Sequence, residues 1–170
     1  MLASNPSLAS ERYARFQNRE EVGIITFASE PASTVWFQMG STPEQNARTR
    51  ARITEFVRGL SAYGGTAIYS ATRRALIELA QERIRAREKR YYTVVLMTDG
   101  ENNRGLSKEE FVQWYRTGGQ NIRAIPVFPI LFGEGNAKEL REIADLTGGR
   151  LFDSRSSTLA AVFKEIRGYQ

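Results

Sequence analysis

A chain of 170 residues, 41% apolar and 25% charged, has the length of one compact domain with its own core. It can bury roughly two-thirds of its unfolded surface, so folding requires neither a disulfide nor a metal. It contains no cysteine and no histidine, which excludes thiolate zinc sites, thiol nucleophiles, and serine–histidine and cysteine–histidine hydrolases. Any metal must then be held by oxygen, which favours magnesium, manganese or calcium. The net charge of +5 is spread along the chain. Its densest run, Arg83-Ile84-Arg85-Ala86-Arg87-Glu88-Lys89-Arg90, reads as a solvated helix terminus in preference to a nucleic-acid or anionic-lipid patch, because cations complement that end of the dipole. No apolar run approaches the roughly 18 residues of a membrane span. Met1–Pro6 has neither the basic lead nor the apolar stretch of a signal peptide, so the chain as given reads as soluble.

Residues 1–20 are polar and irregular, with Asn5-Pro6 as turn chemistry and a short helix expected around Ser7–Phe16. Val22–Phe27 reads as a strand, broken by Glu30-Pro31, and Thr34–Met39 as a second strand forming an antiparallel hairpin at a sheet edge. From Thr42 the period changes: Pro43 suits a first helical turn, and Ile53, Phe56, Val57 and Leu60 recur at helical spacing before Gly64-Gly65. A second helix follows with Ile68, Ala71, Ala75, Leu76 and Leu79 on one face. Tyr92–Thr98 is nearly continuous in apolar residues and is expected to be a parallel strand covered on both faces.

Beyond Asp99-Gly100, a helix is expected from an N-cap at Ser107 to Gly118-Gly119. The strand Ile125–Phe132 carries Pro129, which cannot donate to a ladder and so calls for a bulge or an unpaired side. Asn136 caps a helix with Leu140, Ile143 and Ala144 inward, which ends at Gly148-Gly149. A short strand at Arg150–Phe152 leads to a last helix with Leu159, Val162, Phe163 and Ile166 in phase. Alternating strands and helices define an α/β sheet with helices on both faces.

In open α/β sheets ligands bind beyond the carboxyl ends of the strands. Asp99 ends the most apolar strand and precedes the polar stretch Gly100-Glu101-Asn102-Asn103. Such a carboxylate is either a bonded, paired or metal-bound group, or simply the cap of its own turn with Gly100. Gly64-Gly65-Thr66-Ala67 likewise offers either a presented hydroxyl or an ordinary N-cap.

Together these stretches resemble the von Willebrand factor type A domain. The likeness rests on Val22–Ala28, Tyr63–Ile68, Val94–Asn102, Ile125–Gly133 and Leu146–Phe152, in the family's order. The nearest group is the bacterial one in which such a domain follows an extracellular solute-binding-protein-like domain, and the ending Val162–Gln170 fits it. The resemblance implies a Rossmann-like three-layer sandwich, mostly parallel with one antiparallel edge strand. Residues 21–170 would form this domain, and residues 1–20 would be an irregular remnant of the segment after its first helix. It also implies a metal-ion-dependent adhesion site for Mg2+ or Mn2+, with Thr66 and Asp99 as ligands and Gly65, Gly100 and Glu101 on the ligand face. The role implied is protein recognition through a partner's acidic side chain, not catalysis.

The family's Asp-x-Ser-x-Ser segment, which follows its first, central strand, occurs nowhere in this chain. The first strand is therefore expected to be missing, and metal binding to be weak or absent here while present in a full-length parent. The gap is expected to close by direct pairing of the flanking strands, or by a strand borrowed from a second copy. A metal-dependent hydrolase or phosphotransferase using Asp99 is the competing reading. The resemblance further implies an extracytoplasmic or membrane-anchored parent.

Overall fold

The computed structural model describes residues 18–133, 136–154 and 158–168. The helix expected around Ser7–Phe16 lies outside the described residues, which open with a turn at Asn18 and Arg19.

Strands β1 (Glu21–Ile24) and β2 (Val35–Gln38) pair antiparallel, with Val22 opposite Phe37 and Gly23 opposite Trp36. Both are shorter than the apolar runs that announced them. Helix α1 (Pro43–Arg58) starts at a capping box in which Thr42 accepts from the Gln45 amide and Gln45 reaches back. It seats Phe56 against Phe37, ring centroids 5.9 Å apart. The helix stops at Gly59; Val57 in its last turn and Leu60 beyond it are both exposed, so the apolar stripe is narrower than expected.

Helix α2 (Ile68–Arg85) buries Ile68, Tyr69, Ala71, Thr72, Leu76 and Ala80. Strand β3 (Val94–Thr98) follows, then α3 (Lys108–Thr117), capped by Ser107 with Glu110, and a one-turn α4 (Gln120–Arg123) that the sequence did not announce. Strand β4 (Val127–Leu131), α5 (Ala137–Thr147), β5 (Phe152–Asp153) and α6 (Leu159–Gly168) complete the fold. Asn136 caps α5 by accepting from the Lys138 and Glu139 amides, and Gly148 ends it in the left-handed conformation, φ 74°. Val162 and Ile166 of α6 are buried as expected, whereas the side chain of Leu159 lies outside the described residues.

Strands β3, β4 and β5 form a parallel sheet in that order. Side chains alternate across β4: Val127 and Leu131 join the core under α2, α3 and α5, while Phe128 and Ile130 pack with Phe152, Val162 and Ile166 on the α6 side. Helices thus cover both faces of an α/β sheet, a Rossmann-like arrangement. Pro129 causes no bulge. The Val94 amide donates to Pro126 O and the Phe132 amide to Thr98 O, so even-numbered residues of β4 bond to β3. Position 129 therefore faces β5, whose pairing begins only at Ile130, and the missing donor costs no ladder bond.

The sheet is split in two. Among the described residues no strand stands between β1 and β3, and these two strands do not pair with each other. Direct closure of the gap is therefore not what this chain does. The expectation that β3 is covered on both faces also fails at its end, where Met97 is 45% exposed among the described residues. No described helix is long and apolar enough to cross a membrane.

Candidate functional site

The two halves of the sheet meet at their carboxyl ends. The Ala67 amide donates to Ala28 O, just beyond β1, at 2.8 Å, and the Gly65 amide donates to Ser29 Oγ at 3.1 Å. On the other side Thr66 and Asn103 bond reciprocally: the Thr66 amide donates to Asn103 Oδ1 at 2.8 Å and the Asn103 amide to Thr66 O at 3.0 Å. The segment 64–67 therefore bridges the loop after β1 to the loop after β3. Its glycines are required. Gly64 has φ +79°, and a Cβ on Gly65 would overlap Arg104 Cγ and sit 2.6 Å from Asn103 Oδ1.

Thr66 is not an N-cap. The residue in that position of α2 is Ala67, and no side chain caps the helix. The Thr66 hydroxyl instead lies against Gly100, where a Cβ would come within 3.1 Å of Thr66 Oγ1. Asp99 is exposed at the adjacent position, so burial does not compel its carboxylate to find a partner. Nor does it cap its own turn, since the Gly100 amide donates to Thr98 Oγ1 at 3.2 Å. On its far side stands the loop after β4, where a Cβ on Gly133 would lie 3.8 Å from Asp99 Cβ. Gly65 is half-buried beneath Arg104, Gly100 is half-buried, and Glu101 is exposed. The structure thus places Thr66, Gly65, Asp99, Gly100 and Glu101 along one rim.

Residues that hold this rim were not singled out by the sequence reading. Asn102 accepts from the Tyr69 amide at 3.4 Å, donates from Nδ2 to Leu106 O at 3.0 Å, and its own amide donates to Glu139 Oε2 at 3.1 Å. Asn102, Asn103, Ser29 and Glu139 therefore position the loops that carry Thr66 and Asp99. The signal available was the pair of asparagines directly after Asp99-Gly100-Glu101. Below them, burial first and then Glu139, Glu142 and Glu109 push the Tyr69 phenol above its ordinary value. Its hydroxyl is buried without a well-formed hydrogen bond; Glu139 lies close, but its carboxylate is engaged by the Asn102 amide.

A divalent ion would find one hydroxyl, from Thr66, and one carboxylate, from Asp99, at the heart of this rim. No group of three or more acidic side chains that could hold a metal exists among the described residues. Magnesium can be held by one or two carboxylates with waters, but generally with substrate phosphates completing the shell. Among the described residues, one hydroxyl and one carboxylate do not by themselves fit a resident ion.

An antiparallel strand pair and a parallel three-stranded sheet, with their strand-end loops gathered into one polar rim, define a Rossmann-like α/β domain. The family model of the von Willebrand factor type A domain matches residues 8–166, and the chain belongs to that family, whose members generally serve as protein-interaction modules. Among solved structures it is similar to proximal thread matrix protein 1 (PTMP1) from the mussel byssus, with a TM-score of 0.51 and 20% identity. That likeness, which concerns the fold alone, covers 97% of this chain and 42% of the mussel chain, so this chain spans less than half the length of that protein. No curated protein matches it.

Proposed function

We propose that this chain is a non-enzymatic recognition module whose ligand face is the rim formed by Gly65, Thr66, Asp99, Gly100 and Glu101, and that it engages an acidic side chain of a partner protein. The observation that carries the reading is the bridge from Ala28 through Thr66 to Asn103, which holds the Thr66 hydroxyl beside Gly100 across a gap in the sheet. Arg104 supplies positive charge there: its Nη1 donates to Asn103 O at 2.9 Å, and the residue is exposed beside Gly65. A partner carboxylate can accept from Arg104 and from the Thr66 hydroxyl, while Asp99 and Glu101 oppose a second negative charge and so select for a single one.

On this reading Mg2+ or Mn2+ binds the chain weakly or not at all, and Thr66 and Asp99 are metal ligands only where further donors join them. Calorimetric titration with either ion tests this. A micromolar dissociation constant abolished by Asp99→Asn overturns it. Titration of the isotope-labelled chain with a glutamate-containing peptide tests the ligand face: shifts confined to residues 64–67 and 99–104 and lost in Arg104→Ala are expected, and shifts elsewhere refute it. The hydrolase alternative predicts ester cleavage in manganese that Asp99→Asn abolishes.

The same reading extends to the rest of the protein. The chain would belong to the bacterial group whose type A domain follows a solute-binding-protein-like domain, in an extracytoplasmic or membrane-anchored parent. The coding sequence upstream of Met1 would then hold an apolar strand ending in Asp-x-Ser-x-Ser. In isolation the facing edges of β1 and β3 would recruit a strand from a second copy, so sedimentation should show a dimer; a monomer at high concentration counts against it.

A further inference from the structure

The end of the sheet opposite the rim holds a cavity of about 560 Å3 between the C-terminus of α2 and the residues that lead into β3 and β4. Its wall carries Arg83, Arg87, Lys89 and Arg90, with Tyr91 and Tyr92 beside them and Ala124 and Pro126 opposite. This is the basic run that reads in sequence as a solvated helix end. The helix end alone does not account for it, because a helix C-terminus amounts to only about half a negative charge.

The charges nearest the cavity can be set against one another. Arg90 is paired with Glu21 at 3.6 Å, and Glu88 shares the wall. Arg85, the other cation of the run, pairs with Glu82 at 3.2 Å and does not line the cavity. Arg83, Arg87 and Lys89 have no ion-pair partner among the described residues. Counting Glu88, Glu21 and the helix end against four cations leaves about one and a half positive charges uncompensated. That surplus matches one phosphate monoester, which carries roughly −1.5 to −2 at neutral pH, and exceeds what one carboxylate neutralises.

Shape points the same way. A cavity between roughly 300 and 1,000 Å3 suits a small molecule. Arginine forks bind phosphate oxygens two at a time, and lysine adds a point charge. Tyr91, 65% exposed, offers a ring to flank whatever the phosphate is attached to. We propose that this cavity binds a small phosphate monoester, at the opposite end of the sheet from the Thr66–Asp99 rim and independently of it.

Titrating the isotope-labelled chain with phenyl phosphate tests the site, with benzoate as the singly charged probe that shares the ring. Saturable shifts are expected at residues 83–93 and 124–126 and not at 64–66 or 99–103, with benzoate at least about tenfold weaker. The double variant Arg87→Ala, Lys89→Ala alters exposed side chains only and should fold normally, yet weaken phenyl phosphate binding at least about tenfold. No shifts, equal binding of benzoate, or undiminished binding by the double variant each overturn the proposal. A single-stranded oligonucleotide that binds more tightly than phenyl phosphate also overturns it, since the cavity would then be part of a nucleic-acid surface.

Discussion

Replacing Gly65 by alanine probes how the rim is held. The added Cβ would overlap Arg104 Cγ and stand 2.6 Å from Asn103 Oδ1. Arg104 is exposed and can swing aside, but Asn103 cannot move without surrendering the bond it accepts from the Thr66 amide. That bond is worth about 0.5–1.5 kcal/mol net, and residual crowding adds about 1 kcal/mol. Against this, alanine restricts the unfolded chain and returns about 0.4–1 kcal/mol. The balance is a destabilisation of about 1 kcal/mol, or a melting point lower by roughly 2–4 °C in a domain of this size. Urea unfolding should show an earlier midpoint at unchanged slope, and the Thr66 amide should exchange faster with solvent. Gly119→Ala is the control: a Cβ there meets nothing within 4 Å, so stability should hold within about 0.5 kcal/mol. If Gly65→Ala matches this control and Thr66 stays equally protected, Asn103 does not clamp the rim.

Three further outcomes follow from the packing. Gly149→Ala should be far more damaging, about 3 kcal/mol or beyond by urea unfolding, because its Cβ would overlap the Val127 carbonyl oxygen and lie 2.6 Å from that carbonyl carbon, and backbone cannot step aside. Ser107→Ala should cost about 1 kcal/mol by removing the cap of α3. Hydrogen bonds from the Ser107 amide and hydroxyl hold Glu110 below the ordinary glutamate value of 4.5, so their support is present above that pH and lost as pH falls through the lowered value. A carboxyl titration by NMR should find the lowered midpoint in the wild type and its return towards 4.5 in Ser107→Ala. Tyr69→Phe removes a buried hydroxyl that lacks a well-formed bond, so stability should be unchanged or rise by up to about 1 kcal/mol; a comparable loss would reveal a working bond to Glu139.

Elements whose boundaries are written in local chemistry were legible in the sequence. Ser107 and Asn136 as caps and Gly148 as a helix stop each satisfy orphan amides or carbonyls within a few residues, so the sequence carries the interaction, although the reciprocal bond between the Ser107 amide and Glu110 was not read from it. Pro129 was legible for a similar reason, since a missing donor must face an unpaired side wherever the strand lies. Thr66 and Asp99 were placed on one rim by resemblance and by the rule that strand ends carry sites. The residues that position them were not found, because Asn103 meets Thr66 and Glu139 meets Asn102 across 37 positions of chain each. The cover expected on both faces of the Tyr92–Thr98 strand fails at Met97 for a physical reason. Strand burial comes from neighbours on both edges and both faces, and an apolar run does not reveal that a neighbour is lacking.

Among the described residues no strand lies between β1 and β3, so the rim spans two separately paired sheets. The rim is fastened by bonds from Ala67 to Ala28 and between Thr66 and Asn103, none of which is a strand-ladder bond. At the other end of the two strands Arg90 reaches Glu21, an exposed pair worth at most about 1 kcal/mol. The β1–β2 half is thus tied to the rest of the fold by polar contacts at both ends, by Thr34 donating to Glu78 of α2, by Arg167 of α6 on the Glu20 carboxylate, and by Phe27 against the main core, instead of by continuous backbone pairing. Hydrogen exchange should therefore grade the molecule. Amides of β4, bonded to β3 and covered on both faces, should exchange only through global unfolding, whereas those of β1 and of segment 64–67 should open together and sooner. Simultaneous loss of protection in β1 and β4 would mean the halves fold as one unit despite the gap, and the polar bridge would then carry more of the stability than its bonds can supply.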